Sequence, residues 1–263
     1  MPPLEGRTAI VTGAGRLRGL GRAIAEHLAE DGANVVVGDV EGDGDSEMQE
    51  VCATIGERAV ARPCDVRDEN AVADLVAFAA DRFGSVDILV NNAGIGYMMQ
   101  PLDDVSAEDW RLVLEVNLMG AFLCTKYAAR QMVAQGRGGR IVNIASQAAK
   151  SGFPHMASYV ASKHGMVGLT RSNAVELGTH GITVNAVCPN HVTTDLGARQ
   201  NDYFAAYKGL SVEQYLAEMA GRIPLGRPGL AADTANAVAF LCSDAADYIT
   251  GEALNVSGGE EMH

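Results

Sequence analysis

Basic residues are in short supply: 20 Lys+Arg stand against 33 Asp+Glu, a formal net charge of −13, and no basic block occurs anywhere. A field of that sign repels phosphate backbones and anionic lipid, so neither nucleic acid nor a membrane surface is expected as a partner. Cysteine is sparse too. The five, at 52, 64, 124, 188 and 242, are odd in number and include no C-x-x-C pair, which argues against a disulfide framework and a zinc site and fits a reducing cytoplasm. The opening MPPLEGRTAIVTG lacks the basic region, long apolar stretch and cleavage site of a signal peptide, and no run approaches the ~18 apolar residues of a membrane span. With eight prolines and no Pro/Ser-rich linker, nothing divides the chain. One large domain over 1–263 is the economical expectation for this length. What is abundant is glycine. Its 30 residues are about 11% of the chain, against an average near 7%, so many backbone positions require positive φ or close approach to something.

Short β-rich apolar runs recur at TAIVTG (8–13), NVVVGD (34–39), ARPCDV (61–66), DILVNNAG (87–94), RIVNIAS (140–146), ITVNAVCP (182–189) and ALNVSG (253–258). Most lack polar/apolar alternation, as expected of parallel strands covered on both faces. Ala- and Leu-rich stretches at 22–30, 69–82, 107–135, 157–177 and 231–241 read as the intervening helices. The rhythm breaks at about 190–228, where one short helical stretch and no strand are expected. Long excursions of this kind are often substrate lids. The acidic run Asp39, Glu41, Asp43, Asp45, Glu47, Glu50 reads as a solvated face except at Asp39.

The first strand leads into Thr12-Gly13-Ala14-Gly15-Arg16-Leu17-Arg18-Gly19-Leu20-Gly21 and at once into a helix. Such a turn lets backbone approach a pyrophosphate and aims a helix N-terminus at it, although G-x-G-x-x-G is not matched literally. Asp39 ends the second strand, 18 residues beyond Gly21. An acid there accepts hydrogen bonds from adenosine ribose hydroxyls and repels a 2′-phosphate, which favours NAD over NADP. Arg16 and Arg18 argue the other way if they bind a 2′-phosphate; they could equally serve the pyrophosphate or solvent.

Tyr159 and Lys163 are i and i+4 on one helix face, with Ser146 thirteen residues upstream and Asn91-Asn92-Ala93-Gly94 after the fourth strand. Together with TGAGRLRGLG, CDV (64–66), Asn117, NIAS (143–146), YVASK (159–163), NAVCPNHVTT (185–194), LGRPG and YITGEALNVSGG, the chain resembles the short-chain dehydrogenase/reductase family over nearly its whole length. The resemblance implies an α/β, Rossmann-like three-layer domain with a seven-stranded parallel sheet and helices on both faces, binding a nicotinamide dinucleotide.

It also implies roles. Tyr159 would be the general acid/base, with Lys163 supplying the cation that a phenol of pKa near ~10 needs and holding the nicotinamide ribose. Ser146 would bind the substrate oxygen, and Asn117 would hold a relay water. Gly13, Arg18, Gly19, Leu20 and Gly21 would serve the pyrophosphate turn, Asp39 the ribose, and Asp65 and Val66 the adenine. Asn92 and Gly94 would border the cofactor, while Val192 and Thr194 would fix the carboxamide. Two features depart from the family pattern: the glycine turn is two residues longer than usual, and Asn190 replaces a customary glycine. Asn190 and His191 are therefore candidate substrate contacts, the alternative being loop polar groups satisfied by backbone; His155, four residues before Tyr159, is a further candidate, the alternative being a partly exposed loop histidine with no ligand. Met98 and Met99 are candidates for the substrate side as well.

The function that the resemblance implies is NAD-dependent hydride transfer between the cofactor and a secondary alcohol or its ketone, with a polyol, sugar or related hydroxylated small molecule as the expected substrate. Two alternatives stand beside it: a 3-oxoacyl-carrier-protein reductase, and a catalytically silent NAD-sensing regulator. A homotetramer is what the resemblance implies for assembly.

Overall fold

The structure, a computed structural model, describes residues 2–40, 45–96 and 98–263. Among these, seven strands form one parallel sheet in the order β3-β2-β1-β4-β5-β6-β7. The strands are β1 (Thr8–Thr12), β2 (Asn34–Asp39), β3 (Ala59–Pro63), β4 (Ile88–Asn91), β5 (Gly139–Ile144), β6 (Ile182–Pro189) and β7 (Ala253–Val256). Helices alternate with them: α1 (Leu20–Glu30), α2 (Asp45–Ile55), α3 (Glu69–Phe83), α4 (Ala107–Leu114), α5 (Gly120–Gln135), α6 (Ala157–Leu177), α7 (Asp195–Tyr207), α8 (Val212–Arg222) and α9 (Ala231–Cys242).

Every residue of β1, β4, β5 and β6 is buried, whereas the edge strands β3 and β7 are only partly covered. The lack of alternation in the sequence has this cause: both faces of the central strands meet helices. Ala9 and Val11 pack with Ile24, Leu28, Val238 and Leu241 of α1 and α9, while Ile10 between them turns to the opposite layer of Leu75, Leu123, Met132 and Ile182. β1 neighbours both β2 and β4, so the chain reverses its direction of travel across the sheet there, and a crevice opens at the carboxyl ends of the strands. All five cysteines are free and buried.

Five expectations need correction. β3 runs 59–63, so Cys64 to Val66 leave the sheet and turn toward the crevice. An unanticipated helix, α2, begins on the acidic run; Glu41 and Asp43 of that run lie outside the described residues. The stretch 107–135 is one continuous helical run, but it widens into a π turn at Glu115–Met119. Its mean hydropathy and length would let it cross a membrane, contrary to the expectation that no stretch comes close. Leu123, Cys124, Ala128 and Met132 instead pack it onto the sheet. Between 190 and 228 two helices form, α7 and α8, with a parallel bridge joining Val192 to Gly229.

Candidate active site

The glycine turn is held by contacts that admit no side chain. Gly13 has φ +65°, and a Cβ on it would lie 2.6 Å from the Ala93 Cα; one on Gly21 would lie 2.5 Å from Asn92 Nδ2. Asn92 Nδ2 donates to the carbonyls of Thr12 (2.9 Å) and Gly13 (2.8 Å), so the loop after β4 braces the turn after β1. Asp68, Ser106, Thr194 and Ser211 cap α3, α4, α7 and α8, but α1 begins at Gly19 with no side-chain cap. Its first N–H groups and dipole are left to an anion, the arrangement that suits a pyrophosphate.

A crevice of about 840 Å³ follows, lined by Gly13, Gly19, Leu20, Asp39, Asp65, Val66, Asn92, Gly94, Tyr159, Lys163, Val192 and Thr194 among others. Its size lies within the roughly 300–1,000 Å³ typical of ligand pockets, toward the large end that a dinucleotide needs. Asp39 Oδ2 accepts from Gly15 N–H (2.8 Å) and Oδ1 from Val40 N–H, which fixes the carboxylate and leaves lone pairs for two further donors. Glu47 also lines this end. It accepts from Leu17 N–H and Arg16, and its pKa lies below the usual carboxylate range, chiefly through the Leu17 bond. Arg18 reaches across to Asp195 at 3.2 Å, with both side chains largely exposed. Each arginine of the turn therefore faces a carboxylate. Asp65 is engaged by Arg67, whose hydrogen bonds hold its pKa low, and Val66 packs beneath Gly120. The Thr194 hydroxyl caps α7 through Gly197 N–H.

Further along the crevice the reactive side chains converge. Tyr159 is partly buried at the wall of the crevice, and this desolvation raises its phenol pKa; the Ser146 hydroxyl, by hydrogen bonding, is the neighbour that lowers it. Lys163 is 4% exposed, donates to the Ile144 carbonyl at 2.7 Å and lies 5.6 Å from the centre of the Tyr159 ring. Desolvation pulls its pKa from 10.5 to about 8. Gly96 packs on the Tyr159 ring, where a Cβ would come within 2.6 Å. Fully buried Asn117, in the π turn, exchanges hydrogen bonds with both backbone groups of Ile95 and donates to Ser162. Its side chain is thus spent on positioning the loop that covers Tyr159.

Ser146 and Tyr159 also line a second cavity of about 270 Å³, walled by Phe153, Met156, Phe204, Tyr215 and Met219 beneath α7 and α8. Asn190 and His191 line it, whereas Met98, Met99 and His155 do not. His155 Nδ1 sits 2.8 Å from the Tyr203 hydroxyl and its ring meets Tyr207 edge-on, tying the loop before α6 to α7. Burial lowers the His191 pKa to about 4, so it is neutral at pH 7. Gln200 of α7 donates to the Gly96 carbonyl at 2.8 Å, closing the cover over Tyr159.

The profile of the family described as "Enoyl-(Acyl carrier protein) reductase" matches residues 13–261. The chain is 43% identical over 253 residues to a cis-4-hydroxycyclohexanecarboxylate dehydrogenase of Sinomonas cyclohexanicum, covering 96% of each protein. It is 40% identical over 259 residues to a 2,5-dichloro-2,5-cyclohexadiene-1,4-diol dehydrogenase of Sphingobium indicum, covering 98% of each. The chain belongs to the short-chain dehydrogenase/reductase family. Among solved members, an actinorhodin polyketide ketoreductase variant with NADPH superposes with a TM-score of 0.90 at 39% identity, over 98% of both chains. As a short-chain dehydrogenase/reductase, this protein is an oxidoreductase of alcohol or ketone substrates with a nicotinamide cofactor.

Sequence reasoning missed two residues at the smaller cavity, Glu260 and Arg222. Glu260 accepts from Asn190 Nδ2 (2.6 Å) and from Arg222 Nε (3.1 Å). Neither belongs to a local motif, and 38 residues separate them, so only the fold reveals the pair.

Proposed function

We propose that this protein is an NAD-preferring dehydrogenase that interconverts a secondary alcohol and its ketone on a small substrate, with Tyr159 as general acid/base. The observation that carries this reading is that Ser146 and Tyr159 line both the dinucleotide crevice and the smaller cavity, so one hydroxyl-bearing carbon can meet both cofactor and proton acceptor. The bound nicotinamide would accept or return the hydride. Ser146 orients the substrate oxygen, and Tyr159 takes its proton during oxidation and returns it during reduction. Lys163 holds positive charge beside the phenol and would hold the nicotinamide ribose when the cofactor is bound.

The preference for NAD is supported by Asp39 and Glu47 together. A 2′-phosphate would enter beside two carboxylates, and the nearby Arg16 is already paired with one of them. A mostly apolar wall favours a compact carbon framework, such as the six-membered ring in the names of both relatives, over an open polyol. Delivery on an acyl carrier protein is disfavoured, because that partner is acidic and this chain stands at −13. The working assembly is a cytoplasmic homotetramer; exposed Met119 and Phe122 and 84%-exposed Val175 on the long helices support burial between subunits. The test of the chemistry is NAD reduction over a panel of ring alcohols and polyols with Tyr159→Phe. That variant should lose ~10²-fold or more in kcat while still binding NADH. Full activity without the phenol would refute the mechanism.

A further inference from the structure

The substrate cavity inverts the charge of the molecule around it. In a chain of 33 acidic and 20 basic residues, the described residues lining this cavity include no Asp or Glu, and the two that carry charge at pH 7 are Lys208 and Arg222. Lys208 is engaged elsewhere: its Nζ meets Glu218 at 3.0 Å and lies over the Tyr215 ring. Arg222, in the last turn of α8, is held by one edge. Its Nε donates to Glu260 Oε1, and the other Glu260 oxygen accepts from Asn190, whose amide also donates to the Ser257 carbonyl. Among the described residues the two Nη groups of Arg222 make no hydrogen bond. A guanidinium fixed through Nε presents four N–H donors in a planar fork, the geometry that pairs with a planar anion. His191 cannot substitute as the cation, since burial keeps it neutral.

We infer that the substrate carries a carboxylate, and that it docks on the Nη edge of Arg222 while the carbon framework lies on the apolar wall and the hydroxyl meets Ser146 and Tyr159. This rests on the dehydrogenase reading above. Glu260 and Asn190 act as positioning residues that hold Arg222. Because the Arg222 side chain is 46% exposed, the preference for an acid over a neutral analogue should be on the order of tenfold or somewhat more.

The test compares cyclohexanecarboxylate with cyclohexanecarboxamide, titrated calorimetrically into NADH-saturated protein. The acid should bind about tenfold more tightly; Arg222→Met should erase that difference, costing the acid far more affinity than the amide, and Arg222→Lys should restore part of it. Should Arg222→Met fail to fold, Arg222→Gln carries the same comparison. Equal binding of acid and amide, absence of acid binding, or an equal loss for both in the Arg222 variants would overturn the inference. In parallel, 4-hydroxycyclohexanecarboxylate and its carboxamide are assayed with NAD, where the inference places the difference in KM rather than kcat. If the acid binds through Arg222 and neither alcohol is oxidised, the anion site stands and the ring-alcohol reading falls.

Discussion

Lys163 shows what the active site costs the fold. Its pKa falls from 10.5 to about 8 because burial removes water from the ammonium. Between those values the unfolded chain binds the proton and the folded chain does not, so stability rises with pH through that window; below about pH 8 the full penalty applies. Lys163→Met should therefore raise the melting temperature at pH 7, by the equivalent of about 1–2 kcal/mol once the lost Ile144 hydrogen bond is subtracted, while abolishing turnover. Calorimetry at pH 7 and pH 10 checks this, because the gain should shrink at the higher pH. Asp39 bears on selectivity instead. Asp39→Asn removes the charge but keeps the shape, and the ratio of kcat/KM for NADP over NAD should rise at least about tenfold. An unchanged ratio would assign the selection elsewhere. A spacing of four put Tyr159 and Lys163 on one helix face, while the place of Ser146 beside them and the roles of all three were legible only through the resemblance to the family. The support that Asn92 gives the glycine turn was not, since it joins loops about 80 residues apart.

Elements were legible where local composition agreed with tertiary burial. The runs of β4, β5 and β6, which lack polar/apolar alternation, coincide with strands covered on both faces. β3 was misplaced because CDV is apolar enough to extend the run, yet the pairing ends at Pro63, with Cys64 N–H making the last bond to β2 at the Asp39 carbonyl. α2 was missed because its acidic opening reads as a solvated loop; its buried side, with Met48 and Val51, is short. A π turn has no composition of its own and is invisible in sequence. A buried amide network unites four elements: Asn91 Nδ2 donates to Thr125 Oγ1 and Asn143 Oδ1, and Asn143 Nδ2 donates to Thr170 Oγ1. Asn143→Leu removes one of the two acceptors of the Asn91 amide and the donor to Thr170 Oγ1, leaving them only Thr125 and the Met166 carbonyl, so it should destabilise by about 1–3 kcal/mol in urea unfolding, with Tyr159 itself untouched.

For the molecule as a whole, the order of strands decides where chemistry can occur. With β1 between β2 and β4, the glycine turn, Asp39 and the Asn92 loop all emerge at one end of the sheet, and α7 and α8 close over that same end. The five buried cysteines have a different consequence. Burial pushes Cys52 up to about 11 and Cys64 and Cys242 to about 12, and raises Cys124 and Cys188 as well. At neutral pH almost no thiolate exists in the folded state, and none is accessible. A colorimetric disulfide reagent should therefore find no fast-reacting thiol in the native protein and five in guanidinium. The native reaction rate then becomes a clock for spontaneous opening of the fold. Mild oxidants that inactivate enzymes through exposed sulfur should leave this one working until it unfolds.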